Sequence, residues 1–307
     1  MTISQKLQLI QKMSGLSQEE MGLRFGVSFV TLNRWMNDRA VPRAGALAKI
    51  DELYKEYSGE KFIPETVLEA KKAHIFGKQK AHRNILKEIL ANPDVRDQLY
   101  LSLTFHSNKI EGSTMSEGDT AAVLFRNASL PNRTLIEQLE AKNHQAALQY
   151  LFAYLQDEQP LNEELILKLH SILINAIRED AGQYRYHAVR ILGTYVPTAN
   201  YLKIPDLMKE LGRDFKREGK DVMAQMTGIH ARFEKIHPFG DGNGRVGRLM
   251  MIAMALRSNL APVVIRSGNK GLYMAYLNKA QMTADTSLLE DFVCDAILDG
   301  YSIVERE

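Results

Sequence analysis

A glycine-rich loop between two helical patterns places the strongest constraint on how this chain can fold. Residues 237–248 read HPFGDGNGRVGR, and the sequences before and after them have helical periodicity. Pro238 ends the first helix, which places His237 at its C-terminal end. Three glycines then let the backbone turn and approach a ligand closely; they are Gly240, Gly242 and Gly244. The sequence therefore predicts a helix–loop–helix whose loop is a binding site.

The side chains of the loop indicate what it binds. The second helix begins near Arg245, so its free amides and the positive end of its dipole face the loop. Arg248 follows three residues later, on the same helix face, and together these groups favour a polyphosphate anion. Asp241 in such a site indicates Mg²⁺, which takes one or two carboxylates beside phosphate oxygens. His237 titrates near neutral pH and can accept a proton from an attacking hydroxyl. The loop therefore predicts metal-assisted transfer of a phosphorus-centred group from a nucleotide.

Other nucleotide and metal motifs fit these residues less well. No buried strand precedes the glycines, as a Rossmann loop requires, and no GK[ST] follows, as in a Walker A loop. His230 and His237 lack the i, i+4 spacing of a helical zinc pair, and no carboxylate follows in the metalloprotease pattern. We therefore interpret His230 as a structural residue.

The rest of the chain is patterned mainly for helices. Helical periodicity runs through most of residues 64–170, without a tandem repeat. One segment, residues 182–199 (GQYRYHAVRILGTYVPTA), is rich in β-branched and aromatic residues between Gly182 and Pro197, which predicts a short β-hairpin. The expected fold class is all-α, with this hairpin and a small N-terminal helical domain.

The N-terminal residues contain four short amphipathic segments joined by tight turns. Ser17 and Glu20 have capping-box spacing, Gly26 ends that segment, and Ser28 opens the next. The stretch LSQEEMGLRFGVSFVTLNRWMNDRAVP resembles the Cro/repressor-like helix-turn-helix family. In that family the second helix of the motif enters the major groove of DNA. The resemblance implies contacts to bases and phosphates from the start of that helix, at Ser28, Phe29, Thr31, Asn33 and Arg34.

The charge of this domain leaves a second interpretation open. Residues 1–57 carry eight Lys/Arg and six Asp/Glu. The surplus is small for a domain that must neutralise several phosphates. The alternative to DNA binding through residues 17–38 is a helical module that docks a protein or holds a homodimer together.

The loop also identifies the larger part of the chain by resemblance. HPFGDGNGRVGR matches the signature of the Fic family: His-Pro-Phe, an acidic residue, Gly-Asn-Gly-Arg and a second arginine three residues on. The resemblance extends over roughly residues 60–300. Fic domains are helical and commonly transfer AMP from ATP to a Ser, Thr or Tyr hydroxyl of a protein. A kinase-like branch has Lys where this chain has Gly244, so the glycine favours AMP transfer.

The resemblance implies a role for each loop residue. His237 would be the general base, and Asp241 would hold Mg²⁺ against the α- and β-phosphates. Arg245 would bind the β-phosphate and Arg248 the γ-phosphate, while Phe239 would anchor the loop in the core. The remaining phosphate-binding positions are Gly240, Gly242, Asn243 and Gly244.

Two further segments acquire roles from the same resemblance. The predicted hairpin would be a flap that aligns the target protein by strand pairing, through Tyr186, His187, Ala188 and Val189. The adenine-facing tyrosine and asparagine of relatives align with Met274 and Gln281. Methionine and glutamine replace the family's tyrosine and asparagine there, so the sequence does not identify the residues that contact the adenine ring.

A second motif, SNKIEGS, predicts self-inhibition. Ser107, Glu111 and Gly112 fit the inhibitory pattern [S/T]xxxE[G/N] of Fic proteins, and a helix places Ser107 and Glu111 on one face. Glu111 would pair with Arg248 and take the place of the γ-phosphate. The resemblance therefore implies an adenylyltransferase inhibited from within its own chain.

Length, charge and cysteine content complete the prediction. The 307 residues suggest about two domains. The predicted ranges are a helix-turn-helix domain at 1–57, a helical linker region at 58–98, and a Fic domain at 99–303 with the inhibitory helix near 101–113.

A net charge of +2 gives no general argument for binding of nucleic acid or membrane. One cysteine, Cys294, allows no intrachain disulfide, and neither a signal peptide nor an apolar span is evident. We expect a cytoplasmic protein that binds ATP, Mg²⁺ and an unidentified target protein, with no membrane partner.

Two other functions stay open on the sequence. Glu111 can position a water for removal of AMP from a modified protein. The chain can also be a DNA-binding regulator whose Fic domain senses a nucleotide.

Overall fold

The computed structural model describes residues 1–191, 196–215 and 221–306, which form two compact units. The first unit contains Met1–Pro64 and Gly268–Leu289, and the second contains Glu65–Ser267 and Glu290–Glu307. In the described part of the chain, no helix combines the length and apolar character needed to cross a bilayer.

The first unit consists of four N-terminal helices and one helix from much later in the chain. The predicted capping box of Ser17 and Glu20 is present, Gly26 ends its helix with φ 72°, and Ser28 caps the next helix at the Thr31 amide. The later helix lies so close to the first that a Cβ on Gly271 would overlap a backbone carbonyl. The helices are α1 (Ile3–Ser14), α2 (Gln18–Phe25), α3 (Phe29–Met36), α4 (Ala44–Ser58) and α14 (Lys270–Thr283).

The second unit is built around α13 (Asn243–Arg257). Every residue from Val246 to Leu256 is buried, as expected for a helix that is surrounded by others. Contacts to α13 come from α7, α9, α10 and α12. The other helices of this unit are α5 (Glu65–Gln79), α6 (Ile85–Ala91), α7 (Pro93–Glu111), α8 (Glu117–Arg126), α9 (Leu135–Gln156), α10 (Glu163–Leu173), α11 (Ile204–Asp214), α12 (Val222–Ile236) and most of α15 (Ser287–Val304).

The predicted β-hairpin at residues 182–199 is wrong for the residues that the structure describes. Residues 183–191 and 196–199 contain no strand, and positions 192–195 of the prediction lie outside the described residues. The physical reason is the buried side chain of Arg185, whose guanidinium donates hydrogen bonds to four backbone carbonyl groups. Three of the oxygens lie 2.6 to 2.7 Å away, in His187, Ala199 and His237, and the fourth, in Ile236, lies 3.4 Å away. These bonds hold the described residues around Arg185 in an irregular conformation.

Candidate active site

The glycine-rich loop joins α12 to α13 as predicted, with tight turns at both ends. His237 follows the last residue of α12 in the left-handed region, at φ 51°. Gly242, at φ 79°, precedes α13, and no side chain caps this helix. The helix begins at Asn243, earlier than the expected start near Arg245. Its first amides are therefore free to bind an anion.

An aromatic anchor and an amide clamp give the loop its shape. Phe239 is fully buried, with its ring stacked on His170 at a centroid distance of 3.7 Å. The Asn243 side chain donates to the Phe239 carbonyl and accepts from the Phe239 amide, both at 2.9 Å. The predicted anchoring role of Phe239 is confirmed. Both polar atoms of the Asn243 side chain are used in these two hydrogen bonds. A phosphate at this position would therefore be bound by the Asn243 backbone amide.

His170, in the last turn of α10, packs against the loop and forms a hydrogen bond with its backbone. Its Nδ1 accepts a hydrogen bond from the Gly182 amide at 2.9 Å, so the ring proton lies on Nε2, which donates to the Asp241 carbonyl at 3.1 Å. Burial lowers the pKa of His170 to about 4. The ring is therefore neutral at pH 7, as this pair of contacts requires.

His237 has the environment of a base that is kept neutral. Its side chain is 19% exposed, and its Nδ1 lies 3.3 Å from the carbonyl oxygen of Glu234. Burial lowers the pKa of His237, and the neighbouring Arg185 lowers it further. Because a carbonyl oxygen only accepts hydrogen bonds, the contact places the ring proton on Nδ1 and leaves Nε2 as the basic nitrogen.

Arg245 is held by two carboxylates. Its side chain is 2% exposed, and its Nη1 donates to Glu140 of α9 at 2.7 Å. Its Nη2 lies 3.3 Å from Oδ2 of Asp241, whose side chain is 47% exposed. The buried arginine thus has one structural partner in Glu140 and one partner in the loop.

Arg248 is held by the predicted inhibitory helix, α7. Its Nε donates to the Ser107 hydroxyl at 3.0 Å, and its Nη2 donates to the Ser107 carbonyl at 3.1 Å and to Glu111 Oε1 at 2.6 Å. The Glu111 side chain is 37% exposed, whereas that of Arg248 is 6% exposed. Gly112 ends α7 in the left-handed region, at φ 110°. The two arginines of the loop therefore point to different partners.

Gly244 and Gly247 each admit a glutamate side chain against the backbone of α13. A Cβ on Gly244 would overlap Oε1 of Glu111, and a Cβ on Gly247 would lie 2.6 Å from Oε1 of Glu234. His230 packs beside the second contact, and burial lowers the pKa of its ring to about 3. This neutral, buried histidine agrees with its interpretation as a structural residue.

The remaining predicted site residues lie outside the loop. Tyr186, His187 and Ala188 are exposed and Val189 is half-buried, with the Val189 carbonyl bound by the Thr198 hydroxyl at 2.8 Å. Met274 is half-buried and Gln281 is buried, and both lie on α14 in the first compact unit.

In the helix-turn-helix, most of the expected DNA contacts are engaged locally. The hydroxyls of Ser28 and Thr31 lie 3.0 Å apart at the start of α3, and Asn33 donates to Gln18 at 3.0 Å. Arg34 and Phe29 are exposed. Of the polar candidates, Arg34 is the side chain that most readily reaches a phosphate or base.

Several residues that shape the site were missed by sequence reasoning. Glu140 and His170 lie on helices that are distant from the loop in sequence. Arg185 and Glu234 precede the loop but belong to no recognised motif. The spacing of Glu234 and His237, three residues apart at a helix end, is the one local signal that could have indicated a contact.

Two sequence families match this chain. Residues 160–255 match the Fic/DOC family, and residues 8–62 match a helix-turn-helix family. The chain carries a helix-turn-helix domain followed by a Fic/DOC domain. Both resemblances drawn from the sequence are thereby confirmed.

Curated relatives of the Fic domain are named protein adenylyltransferase. The chain is 32% identical over 193 residues to protein adenylyltransferase Fic of Nematostella vectensis, which covers 60% of this chain and 44% of the relative. It is 29% identical over 191 residues to protein adenylyltransferase fic-1 of Caenorhabditis elegans, which covers 60% and 37%. The chain thus spans less than half the length of these relatives.

Solved structures share the fold at low sequence identity. Fic-1 (residues 134–508) from C. elegans superposes with a TM-score of 0.67 at 20% identity, covering 94% of this chain and 84% of that one. A Fic domain containing signaling protein from Bacteroides thetaiotaomicron gives 0.66 at 23% identity, covering 77% and 98%. These likenesses show the Fic fold.

Proposed function

We propose that this chain is a protein adenylyltransferase that moves AMP from ATP to a Ser, Thr or Tyr hydroxyl, and that Glu111 holds it inactive. The observation that carries the proposal is the contact of Arg248 with Ser107 and Glu111 beside the free N-terminus of α13. The names of the relatives support the reaction class.

The phosphate site combines backbone and side-chain charge. The amides at the start of α13 have no capping side chain, and the helix dipole adds positive potential at the same place. Arg245 and Arg248 supply two guanidinium groups, which suit the β- and γ-phosphates of ATP. The backbone at Gly240, Gly242, Asn243 and Gly244 completes the anion site.

His237 accepts the proton of the target hydroxyl at Nε2. Its Nδ1 proton faces the Glu234 carbonyl, so Nε2 is free to act as the base, and the lowered pKa keeps the ring neutral at pH 7. The hydroxyl oxygen bonds to the α-phosphorus as its proton moves to Nε2. The bond from the α-phosphorus to pyrophosphate breaks in the same transfer.

Asp241 fits a Mg²⁺ ion that arrives with the nucleotide. Its carboxylate is about half exposed at the loop, and one carboxylate with phosphate oxygens matches the ligands that this ion prefers. When bound, Mg²⁺ neutralises phosphate charge. Release of Oδ2 from Arg245, 3.3 Å away, would free both groups for the nucleotide.

Glu111 inhibits because it occupies two parts of the phosphate site. It binds Arg248 at 2.6 Å and covers the backbone at Gly244. A γ-phosphate that is to reach Arg248 must displace a charge-assisted hydrogen bond.

A labelling experiment tests both halves of the proposal. Glu111→Gly should raise AMP incorporation at least tenfold, because Arg248 becomes available, and His237→Ala in that background should abolish it. ATP labelled at the α-phosphate should leave label on protein, whereas ATP labelled at the γ-phosphate should not. Glu117→Gly, which removes an exposed acid on α8, is the matched control. Equal incorporation by wild-type protein and Glu111→Gly would contradict inhibition, and retention of γ-label would contradict AMP transfer.

Removal of AMP is a second candidate function. The Glu111 carboxylate is 37% exposed while it contacts Arg248, so it can also orient an attacking water. An AMP-modified target incubated with wild-type protein and with Glu111→Gly separates the two directions. Release of AMP by the wild type alone would favour this reaction over transfer.

For the N-terminal domain we propose DNA binding, with docking of a protein as the alternative. The match to a helix-turn-helix family and the exposed Arg34 at α3 support it. Selection from random duplexes should recover operator-like DNA at moderate salt, with weaker retention by Arg34→Ala. If no duplex is retained, the domain is a docking module.

A further inference from the structure

The carboxyl group of Glu234 lies buried directly beside the proposed base. The residue stands in the last turn of α12, three positions before His237, and its side chain is 7% exposed. Its Oε2 is 3.9 Å from His237 Nδ1, and its backbone carbonyl is 3.3 Å from the same nitrogen. Main chain and side chain of one residue therefore face a single nitrogen of the base.

The packing of Glu234 gives its carboxyl group little compensation. Its Oε1 is buried, and within residues 1–191, 196–215 and 221–306 it has no hydrogen-bond partner. It lies against α13 at Gly247, where a Cβ would approach to 2.6 Å. Burying an unsatisfied polar group costs free energy that an apolar side chain of similar size would avoid. A glutamate at this place therefore points to a chemical role.

We propose that Glu234 is a positioning residue for His237, which fixes the imidazole ring and, once ionised, offsets the positive charge that the ring acquires. The inference rests on the proposed function. In AMP transfer the hydroxyl proton moves to Nε2, the oxygen–phosphorus bond forms, and the bond to pyrophosphate breaks. The imidazolium afterwards loses that proton to water. A carboxylate 3.9 Å from Nδ1 stabilises the imidazolium relative to the neutral ring.

The charges around Glu234 determine when it is ionised. Burial raises the pKa of Glu234 to about 8; the charge of Arg248 on α13 opposes the rise, and the charge of Glu111 on α7 adds to it. The two histidines that face it are His230 of α12 and His237, which follows that helix, and burial lowers the pKa of each. Both rings are thus neutral where Glu234 titrates. The ionised form becomes abundant above neutral pH, so the rate should rise through that range.

The test is a pH–rate profile in the uninhibited Glu111→Gly background. The parent should show kcat rising above neutral pH, and Glu234→Gln should lose that rise and fall on the order of tenfold in kcat at its upper end. The KM for ATP should change less than kcat, because no phosphate ligand is altered. Glu234→Asp should restore part of the rise, whereas a purely structural role would change the rate equally at every pH.

Glu164→Gln is the matched control, since it removes the same charge from an exposed position of α10; its profile should match the parent. A Glu234→Gln profile with the shape and kcat of the parent would overturn the inference while leaving AMP transfer intact. Absence of AMP transfer in the parent would instead overturn the proposed function.

Infrared spectroscopy gives a second measurement that needs no activity. A protonated carboxyl band that is present at neutral pH, disappears at higher pH and is missing in Glu234→Gln is expected. Absence of such a band, with the variant still folded by circular dichroism, would overturn the ionisation on which the positioning role depends.

Discussion

Two glutamates approach the same helix, α13, through two glycines, yet they meet opposite environments. Glu111 lies over Gly244, is 37% exposed and is ion-paired with Arg248. Glu234 lies against Gly247, is 7% exposed, and has a pKa raised by burial to about 8. In the proposed function, the first carboxylate leaves into solvent and is replaced by a phosphate. The second cannot leave, and its useful change is the loss of a proton.

In the proposed function, this difference assigns Glu111 to regulation and Glu234 to catalysis within one site. A partly exposed carboxylate on a buried arginine can be exchanged for a phosphate, because solvent receives the released carboxylate and the phosphate keeps the arginine paired. A buried carboxyl group responds to pH and to the charge of its neighbours. In the proposed function, the same residue type would serve as a removable inhibitor on one turn of α13 and as a fixed support on the next.

The largest expected effect is a change in how stability depends on pH. In the folded protein Glu234 holds its proton up to about pH 8, whereas the ordinary glutamate value is 4.5, so the native state binds more protons between these values. Stability should therefore fall as pH rises from about 5 to 8, and Glu234→Gln should remove about 2 to 4 kcal/mol of that fall. Urea unfolding at pH 5 and pH 8 measures it. Equal pH dependence in the two proteins would mean that Glu234 is ionised throughout.

The second effect is an opposite response to two matched alanines. Gly244→Ala places a Cβ where Glu111 lies, so it should weaken inhibition and raise AMP transfer several-fold. Gly247→Ala places a Cβ against Glu234, so it should lower AMP transfer about tenfold and cost about 1 to 3 kcal/mol through overpacking. Rates and unfolding free energies of both variants provide the comparison. A gain by Gly244→Ala that persists in the Glu111→Gly background would show that it does not act through Glu111.

The smallest effect concerns the residue that orients Arg248. Ser107→Ala removes the hydroxyl that accepts from Arg248 Nε at 3.0 Å and leaves the Glu111 contact in place. Loss of one such bond is worth about 1 kcal/mol, so AMP transfer should rise two- to fivefold, less than in Glu111→Gly. Ser113→Ala, beside the end of the same helix, is a suitable control. An increase as large as that of Glu111→Gly would assign the inhibition to Ser107 itself.

The sequence was informative where contacts are local or carried by a specific motif. The loop, the burial of Phe239 and the pairing of Arg248 with Glu111 could be predicted, because spacing along a helix or in the Fic signature specifies them. The contact of Arg248 with Ser107 was not predicted. Glu140 is 105 residues from its partner Arg245, and no periodicity indicates such a pairing.

Two other features needed tertiary context. The β-branched and aromatic residues near Arg185 favour a hairpin locally, but in the structure the guanidinium binds the backbone carbonyl groups of His187 and Ala199. The resemblance to Fic proteins placed α14 in the Fic region, whereas its contacts place it in the compact unit of the helix-turn-helix. Propensity describes a segment alone, and packing partners decided both outcomes.

The most direct test of the account is the intact mass of Glu111→Gly protein after incubation with ATP and Mg²⁺, beside the wild type and Glu111→Gly/His237→Ala. The account predicts a gain of AMP in Glu111→Gly and an unchanged mass in the other two. Two results would contradict this prediction. One is an unchanged mass in all three proteins, with an added hydroxyl-bearing protein also unmodified. The other is an equal gain of AMP in the wild type.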